Sequence, residues 1–364
     1  MYLKKSKTIV IKIGSSILID EKRKIRKKWL LEFAKDIKNL LDQKKNVILV
    51  SSGAIALGCK KLNLSKKNLK IDKSQAIASV GQIELMNLFN KIFSLKKINL
   101  SQILLTLEDT EQRRRAINAK RTFENLFNLG FVPVVNENDS IATEEIKYGD
   151  NDRLAARVAQ IIGADTLIIL SDVDGLYDKS KSKKIIKTVS KIDSNIKALI
   201  DDKKNSYGSG GISTKLDAGK ICINAGCHMF IGNGKKNNPI NNMIKSKIYT
   251  HFIPKISSLD ARKKWIISSL NSSGKIYIDQ GAARALNEGK SLLPAGIVKV
   301  EGTFEKGENI LVVDENQKNL ARGLSSFTSS EINKIKGKQS KEIENILGYL
   351  SKSEIVHKDD MVKL

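Results

Sequence analysis

Two lysines in this chain stand where a cation is costly unless it is used. Lys12 lies inside the apolar run TIVIKI (8–13), directly before the turn Gly14-Ser15-Ser16. A lysine in such a strand is rarely left buried without a partner. Lys215 closes GSGGISTK (208–215) at the head of a helical stretch over 213–225. Successive glycines let backbone N–H groups face one point, and a helix N-terminus favours an anion there. The loop is not a Walker A motif, because Thr214 rather than Gly precedes the lysine, and it is not GxGxxG. Two ammonium groups, a Gly-rich nest and Ser-rich turns suit phosphoryl transfer, in which the catalyst positions groups and neutralises charge on the moving phosphoryl.

The second polar concentration is KYGDNDRLAA (147–156), where Asp150, Asn151 and Asp152 precede an apolar segment running to Gly163. Asp and Asn cap helices well, and acids in a first turn complement the helix dipole. Capping alone accounts for the cluster. A second use, with the same side chains turned into a site, stays open at this level.

The elements that must position these groups alternate. Strands read at 8–13, 46–50 (NVILV), 101–106 (SQILLT), 131–135 (FVPVV), 166–170 (TLIIL) and 228–232 (HMFIG). Helical periodicity covers 25–43, about 72–95, about 115–128, the segment from 152, and 213–225. Continuously apolar strands between helices indicate an α/β fold, a three-layer αβα sandwich around a mostly parallel sheet. In such sheets ligands bind beyond the carboxyl ends of the strands. Four of those ends carry small or polar residues: Lys12–Ser16, Ser51–Ala54, Asn136–Asp139 and Ser171–Gly175. One Gly-Ser turn is weak evidence, since turns prefer those residues. Four on one sheet edge outline a site.

Near residue 255 the rhythm changes. The polar, Ser-rich stretch RKKWIISSLNSSGK (262–275) reads as a linker, and short strands KIYID, GIVKV, NILVV and LARGLSS follow among Gly turns. The expected division is a first domain at 1–258, a linker at 259–273 and a small β-rich domain at 274–364. The chain has 364 residues, 41% of them apolar, so a large core is within reach. No apolar run reaches the roughly 18 residues of a membrane span, and the basic N-terminus leads into a strand rather than a signal peptide. Three cysteines form no CxxC pair, and with three scattered histidines they give no metal-ligand spacing, so no metal site is expected and a reducing cytoplasm is the expected home. The net charge is +25, which permits a polyanionic partner; only eleven of the 64 basic residues are Arg, which reads instead as codon bias toward Lys on solvated faces.

Taken in order and spacing, KIGSS, SSGAIALG, VVNENDSIATEEIKYGDND, SDVDGLY and GSGGISTKLDAG closely resemble the bacterial glutamate 5-kinases of the amino acid kinase family. IDQGAARAL, SLLPAGIVKVEGTF and QSKEIENILGY resemble that family's C-terminal PUA domain. The resemblance implies ATP-dependent phosphorylation of the γ-carboxylate of L-glutamate, the first step of proline synthesis, with feedback inhibition by proline. It implies that Lys12 and Lys215 contact the transferred phosphoryl and that Asp152 orients them. Ser52, Gly53, Asn136, Asp139 and Asn151 would hold glutamate. Lys12, Gly14, Ser171, Asp172 and the loop Ser209, Gly210, Gly211, Ile212, Ser213, Thr214 and Lys215 would hold ATP, with Mg²⁺ carried mainly on the nucleotide phosphates. A homo-oligomer, dimer or tetramer, is expected, and a glutamyl phosphate reductase is a candidate partner.

The physics fits these assignments. A side-chain carboxylate with a pKa of about 4 is already ionised at neutral pH, so the nucleophile needs no general base. Two anions must instead be brought together, which asks for cations. The rival readings are an RNA-binding protein acting through its PUA domain and a kinase for another acidic amino acid such as aspartate.

Overall fold

Residue parity along the first strand decides where its lysine points. In β1 (Thr8–Ile13) Ile9, Ile11 and Ile13 face one layer of helices, whereas Val10 faces the other, and Lys12 shares the parity of Val10. The computed structural model describes residues 2–20, 24–65, 69–141, 151–178, 184–199, 211–258, 260–261, 272–349 and 352–364. The chain forms two compact units, 1–258 and 259–364.

In the first unit the strands are β1, β2 (Asn46–Ser51), β3 (Asn99–Leu105), β4 (Phe131–Glu137), β5 (Thr166–Ser171), β6 (Tyr177–Asp178), β7 (Lys184–Ile185), β8 (Thr188–Val189), β9 (His228–Asn233) and β10 (Thr250–Phe252). Eight of them build one sheet in the order β3-β4-β2-β1-β5-β9-β10-β8, and β6 and β7 make a separate hairpin. All neighbours in the large sheet run parallel except β9 and β10. β1 divides the sheet: β2, β3 and β4 lie to one side, β5 and β9 to the other. Its carboxyl end is therefore the switch point at which an α/β sheet opens a crevice.

The helices are α1 (Ser15–Leu18), α2 (Lys27–Asp42), α3 (Ala54–Lys61), α4 (Ile71–Ser94), α5 (Leu107–Glu111), α6 (Arg113–Asn128), α7 (Asn151–Ile162), α8 (Ser194–Leu199), α9 (Ile212–Asn224) and α10 (Pro239–Ser246). Trp29, Phe33, Phe89 and Phe93 from α2 and α4 cover the Ile9/Ile11/Ile13 face. Phe123 of α6, Leu154, Ala155, Ala156, Val158 and Ala159 of α7 and Leu216, Ala218 and Cys222 of α9 cover the other. Each fully buried Ile contributes about 1.5–3 kcal/mol relative to exposure, so both faces need their cover. This is the expected three-layer sandwich. Among the described residues no helix is long and apolar enough to cross a membrane.

Several boundaries differ from the sequence reading. The helix expected from residue 25 begins at Lys27, because Ile25 is held in a bridge to Ile19. Thr106, read as the end of a strand, instead caps α5: its hydroxyl accepts from Asp109 N–H, and the Asp109 carboxylate accepts from Thr106 N–H at 2.8 Å. The helix expected from 213 starts at Ile212.

In the second unit, β11 (Gly274–Ile278), β12 (Ile297–Gly302), β13 (Asn309–Val313), β14 (Asn319–Leu324) and β15 (Met361–Lys363) form a sheet in the order β12-β11-β13-β14-β15. Ile276, Ile278, Phe304, Ile310, Val312 and Phe327 fill its core. Residues 259 and 262–271, most of the expected linker, lie outside the described residues, as do Asp150, Ser209 and Gly210.

Candidate active site

The register of the sheet brings the strand ends level. Ile13 pairs with Ser51 and with Leu170, and Val50 pairs with Val135, so Lys12, Ser51, Asn136 and Ser171 come out at one edge. α7 crosses this edge on the Val10 side and delivers Asp152 to it. α9 lies beside α7 and delivers Lys215.

Asp152 is the hub. It is fully buried, and Lys12 and Lys215 are 6% and 7% exposed. Lys12 Nζ stands 2.6 Å from Asp152 Oδ1, and Lys215 Nζ donates to Asp152 Oδ2 at 3.1 Å. Thr214 adds a weaker hydroxyl contact to Oδ2 at 3.3 Å and donates to the Gly211 carbonyl at 2.8 Å. Burial pushes the Asp152 carboxyl up, but the two ammonium groups overcome it and hold it at about 2. Asp152 is therefore ionised at neutral pH, held between the two lysines. Two lysine side chains converging on one point at a sheet edge are suited to receive an anion.

Gly14 lies against the same trio, since a Cβ built on it would stand 3.7 Å from Lys12 Nζ and 3.8 Å from the Leu170 carbonyl. On the β5 side, Ser171 Oγ donates to Asp172 Oδ1 at 3.2 Å, and the Ser171 carbonyl accepts from Gly234 N–H at 2.7 Å. Gly211 precedes α9, and Ile212, Ser213 and Thr214 form its first turn, so their N–H groups have no partner within the helix.

A second cluster lies on the β2–β4 side. Asn151, the first residue of α7 and 3% exposed, donates through Nδ2 to the Ser51 carbonyl at 3.0 Å, Ser52 Oγ at 2.8 Å and Asn136 Oδ1 at 2.9 Å. Asn136 in turn donates to Gln82 Oε1 at 2.8 Å. Gly53 opens α3 with φ +123°, a backbone conformation that favours glycine, and so turns the chain sharply beside Ser52. Asp139 is half-buried two residues beyond β4, and burial raises its carboxyl to about 6. Among the described residues it joins neither the lysine trio nor the amide run.

The structure thus brings together Lys12, Asp152 and Lys215, and separately Ser52, Asn136 and Asn151. It also reveals Gln82, which the sequence reading passed over. Its signal was a polar residue in the apolar phase of α4, between Ala78 and Leu85. The described residues hold no group of three His, Cys, Asp or Glu side chains able to cage a metal ion.

Compared with known proteins, residues 7–233 match the amino acid kinase family and residues 274–347 match the PUA domain. The glutamate 5-kinase of Pelagibacter ubique (strain HTCC1062) is 65% identical over 368 aligned residues, covering 100% of both chains. The glutamate 5-kinase of Bartonella henselae is 47% identical, covering 98% of this chain and 95% of its own length. That of Sinorhizobium fredii is 46% identical, covering 99% and 93%.

Proposed function

This chain belongs to the amino acid kinase family, among its glutamate 5-kinases, and from that premise we propose that it transfers the γ-phosphoryl group of ATP to the γ-carboxylate of L-glutamate. One oxygen of the substrate carboxylate forms the new bond to phosphorus. The bond from phosphorus to the β–γ bridging oxygen breaks, and ADP leaves with that electron pair. No proton moves, so no base is required.

The observation that carries the reading is the trio of Lys12, Asp152 and Lys215. Two cations fixed by one buried carboxylate are preorganised before substrates arrive, and their positive charge offsets the repulsion between the γ-phosphate and the attacking carboxylate. Asp152 aligns the ammonium groups without discharging them. Magnesium would enter as part of the MgATP substrate, carried on the nucleotide phosphates. Ser171, Asp172 and the first turn of α9 take the nucleotide. Ser52, Gly53, Asn136, Asp139 and Asn151 take glutamate, with Asp139 as the counter-charge of its ammonium.

Acyl phosphates react with hydroxylamine, so the test is a hydroxamate-trapping assay with MgATP. Hydroxamate from L-glutamate, and little from L-aspartate, is the expected result. ATP turnover without hydroxamate, or a preference for aspartate, overturns the reading. The same reading makes this the opening step of proline synthesis, with proline as inhibitor.

A further inference from the structure

One side of α2 grips the loop that follows β9. Arg26, Trp29, Glu32 and Asp36 recur at helical spacing along it, and each holds part of the segment 234–240. Trp29 Nε1 donates to the Gly234 carbonyl at 2.7 Å and to the Lys236 carbonyl at 2.9 Å. The Arg26 guanidinium donates to the Lys235 carbonyl and also to the Ile17 carbonyl at 3.1 Å, just past the Gly14-Ser15-Ser16 turn. Farther along, the Glu32 carbonyl accepts from Asn238 Nδ2 at 3.0 Å, and Asp36 accepts from Ile240 N–H at 2.9 Å.

These contacts fix where the N–H groups of the loop point. A trans peptide unit is planar, so each N–H is opposed to the carbonyl of the preceding residue. The carbonyls of Gly234, Lys235 and Lys236 all turn toward α2, so the N–H groups of Lys235, Lys236 and Asn237 turn away from it. Asn233 Oδ1 takes the first at 2.8 Å, and the other two have no acceptor among the described residues. The Lys235 and Lys236 residues themselves are exposed. Successive N–H groups facing one way, flanked by two cations, suit an anion.

The loop starts level with the site. Gly234 N–H donates to the Ser171 carbonyl at 2.7 Å, and a Cβ on Gly234 would fall 2.8 Å from Leu170 Cβ. β1, β5 and β9 are successive neighbours, so the end of β9 lies roughly 10 Å from that of β1. A triphosphate with its terminal group at Lys12 and its chain laid along the edge passes β5 and reaches β9. α2 belongs to one helical layer and α9 to the other, so the direction away from α2 leads across this edge. The Asp174 carboxylate beside the loop already accepts from Asn233 Nδ2 at 3.1 Å and from the Tyr177 hydroxyl at 3.3 Å.

We infer that the loop Lys235–Asn237 is a further phosphate-binding element of the nucleotide site, taking the α- and β-phosphates through its main-chain N–H groups and its lysines, with Trp29 and Arg26 as positioning residues that set its direction. The inference rests on the proposed transfer from ATP.

Titration calorimetry with MgADP and with MgATP tests this on the full chain, with the glutamate KM measured alongside. In the double variant Lys235→Ala/Lys236→Ala the Kd for both nucleotides should rise by the same factor, about tenfold or more, the scale of one hydrogen bond to a charged group. The glutamate KM should stay unchanged. Lys4→Ala/Lys5→Ala removes the same charge from exposed positions before β1, at the opposite end of the sheet, and should leave both constants unchanged. Trp29→Phe keeps a ring in the core and removes the donor, and it should weaken both nucleotides at unchanged glutamate KM. Wild-type nucleotide binding in the Lys235/Lys236 variant, or an equal loss in the Lys4/Lys5 variant, overturns the inference. A loss confined to MgATP also overturns it, because the loop would then serve the transferred phosphoryl. A Trp29→Phe variant that weakens glutamate as much as the nucleotides would show that Trp29 only supports the fold, and its positioning role fails. Wild-type protein that binds neither nucleotide removes the kinase reading first, and this inference with it.

Discussion

Replacing Asp152 by Asn keeps the shape of the hub and removes its charge. The wild-type carboxyl is held at about 2, below its ordinary 3.8. A depression of that size favours the folded state by about 2–3 kcal/mol; this contribution is complete above the unfolded pKa and is lost as pH falls through the folded one. The variant forfeits it at neutral pH and also removes the carboxylate that both buried ammonium groups contact. Breaking a buried pair in this way costs about 3–5 kcal/mol. At roughly 2–4 °C per kcal/mol for a unit of this size, Tm should fall by about 6–20 °C. Without the carboxylate, burial and the neighbouring ammonium lower the lysine pKa, and one lysine can escape the cost by losing its proton. The catalytic charge is then present only on the acid side of that pKa. Residual kcat in Asp152→Asn should decline more steeply than that of the wild type as pH rises from 6 to 9. Thermal denaturation and a hydroxamate assay across pH measure both effects. A variant with wild-type Tm, wild-type kcat and no pH dependence would refute the argument that this carboxylate holds the two cations in place.

Asp139→Ala should raise KM for glutamate far more than KM for ATP, and equal effects would remove its role as the ammonium's counter-charge. In the wild type its carboxyl, raised to about 6 by burial, is neutral on the acid side and cannot pair with an ammonium there. The glutamate KM should therefore climb as pH falls from 7 to 5, and a flat profile opposes the assignment. Proline should raise the apparent KM for glutamate at unchanged maximal rate; no inhibition at millimolar concentrations removes the claim that it competes for the glutamate pocket.

Much of this architecture is legible in the sequence because parallel strands buried on both faces are nearly all apolar. TIVIKI, NVILV and TLIIL need no tertiary information, and the lysine that interrupts the first of them announces itself. Short or distantly paired elements are less visible. α5 has five residues, too few for a helical period, although the Thr106-to-Asp109 spacing is a capping signal that could have located it. Ile25 lies four residues before Trp29 and so fits the helical phase, yet its backbone pairs with Ile19. β15 spans three residues and exists only through pairing with β14. Asp36 and Gln82 look like ordinary polar residues on amphipathic helices. Asp36 instead caps α10, accepting from Ile240 N–H at 2.9 Å, and Gln82 meets Asn136. The partners lie 204 and 54 residues away, a separation that no local pattern records.

The most direct test of the account is the rate of the chemical step itself, measured by chemical quench in a single turnover with Lys12→Ala, Lys215→Ala and the double variant. Each single change should slow phosphoryl transfer by roughly 10²-fold or more. The double change should cost much less than the product of the two, because one buried carboxylate makes the lysines act as a unit. Near-normal transfer in either single variant would contradict the claim that both ammonium groups act on the moving phosphoryl.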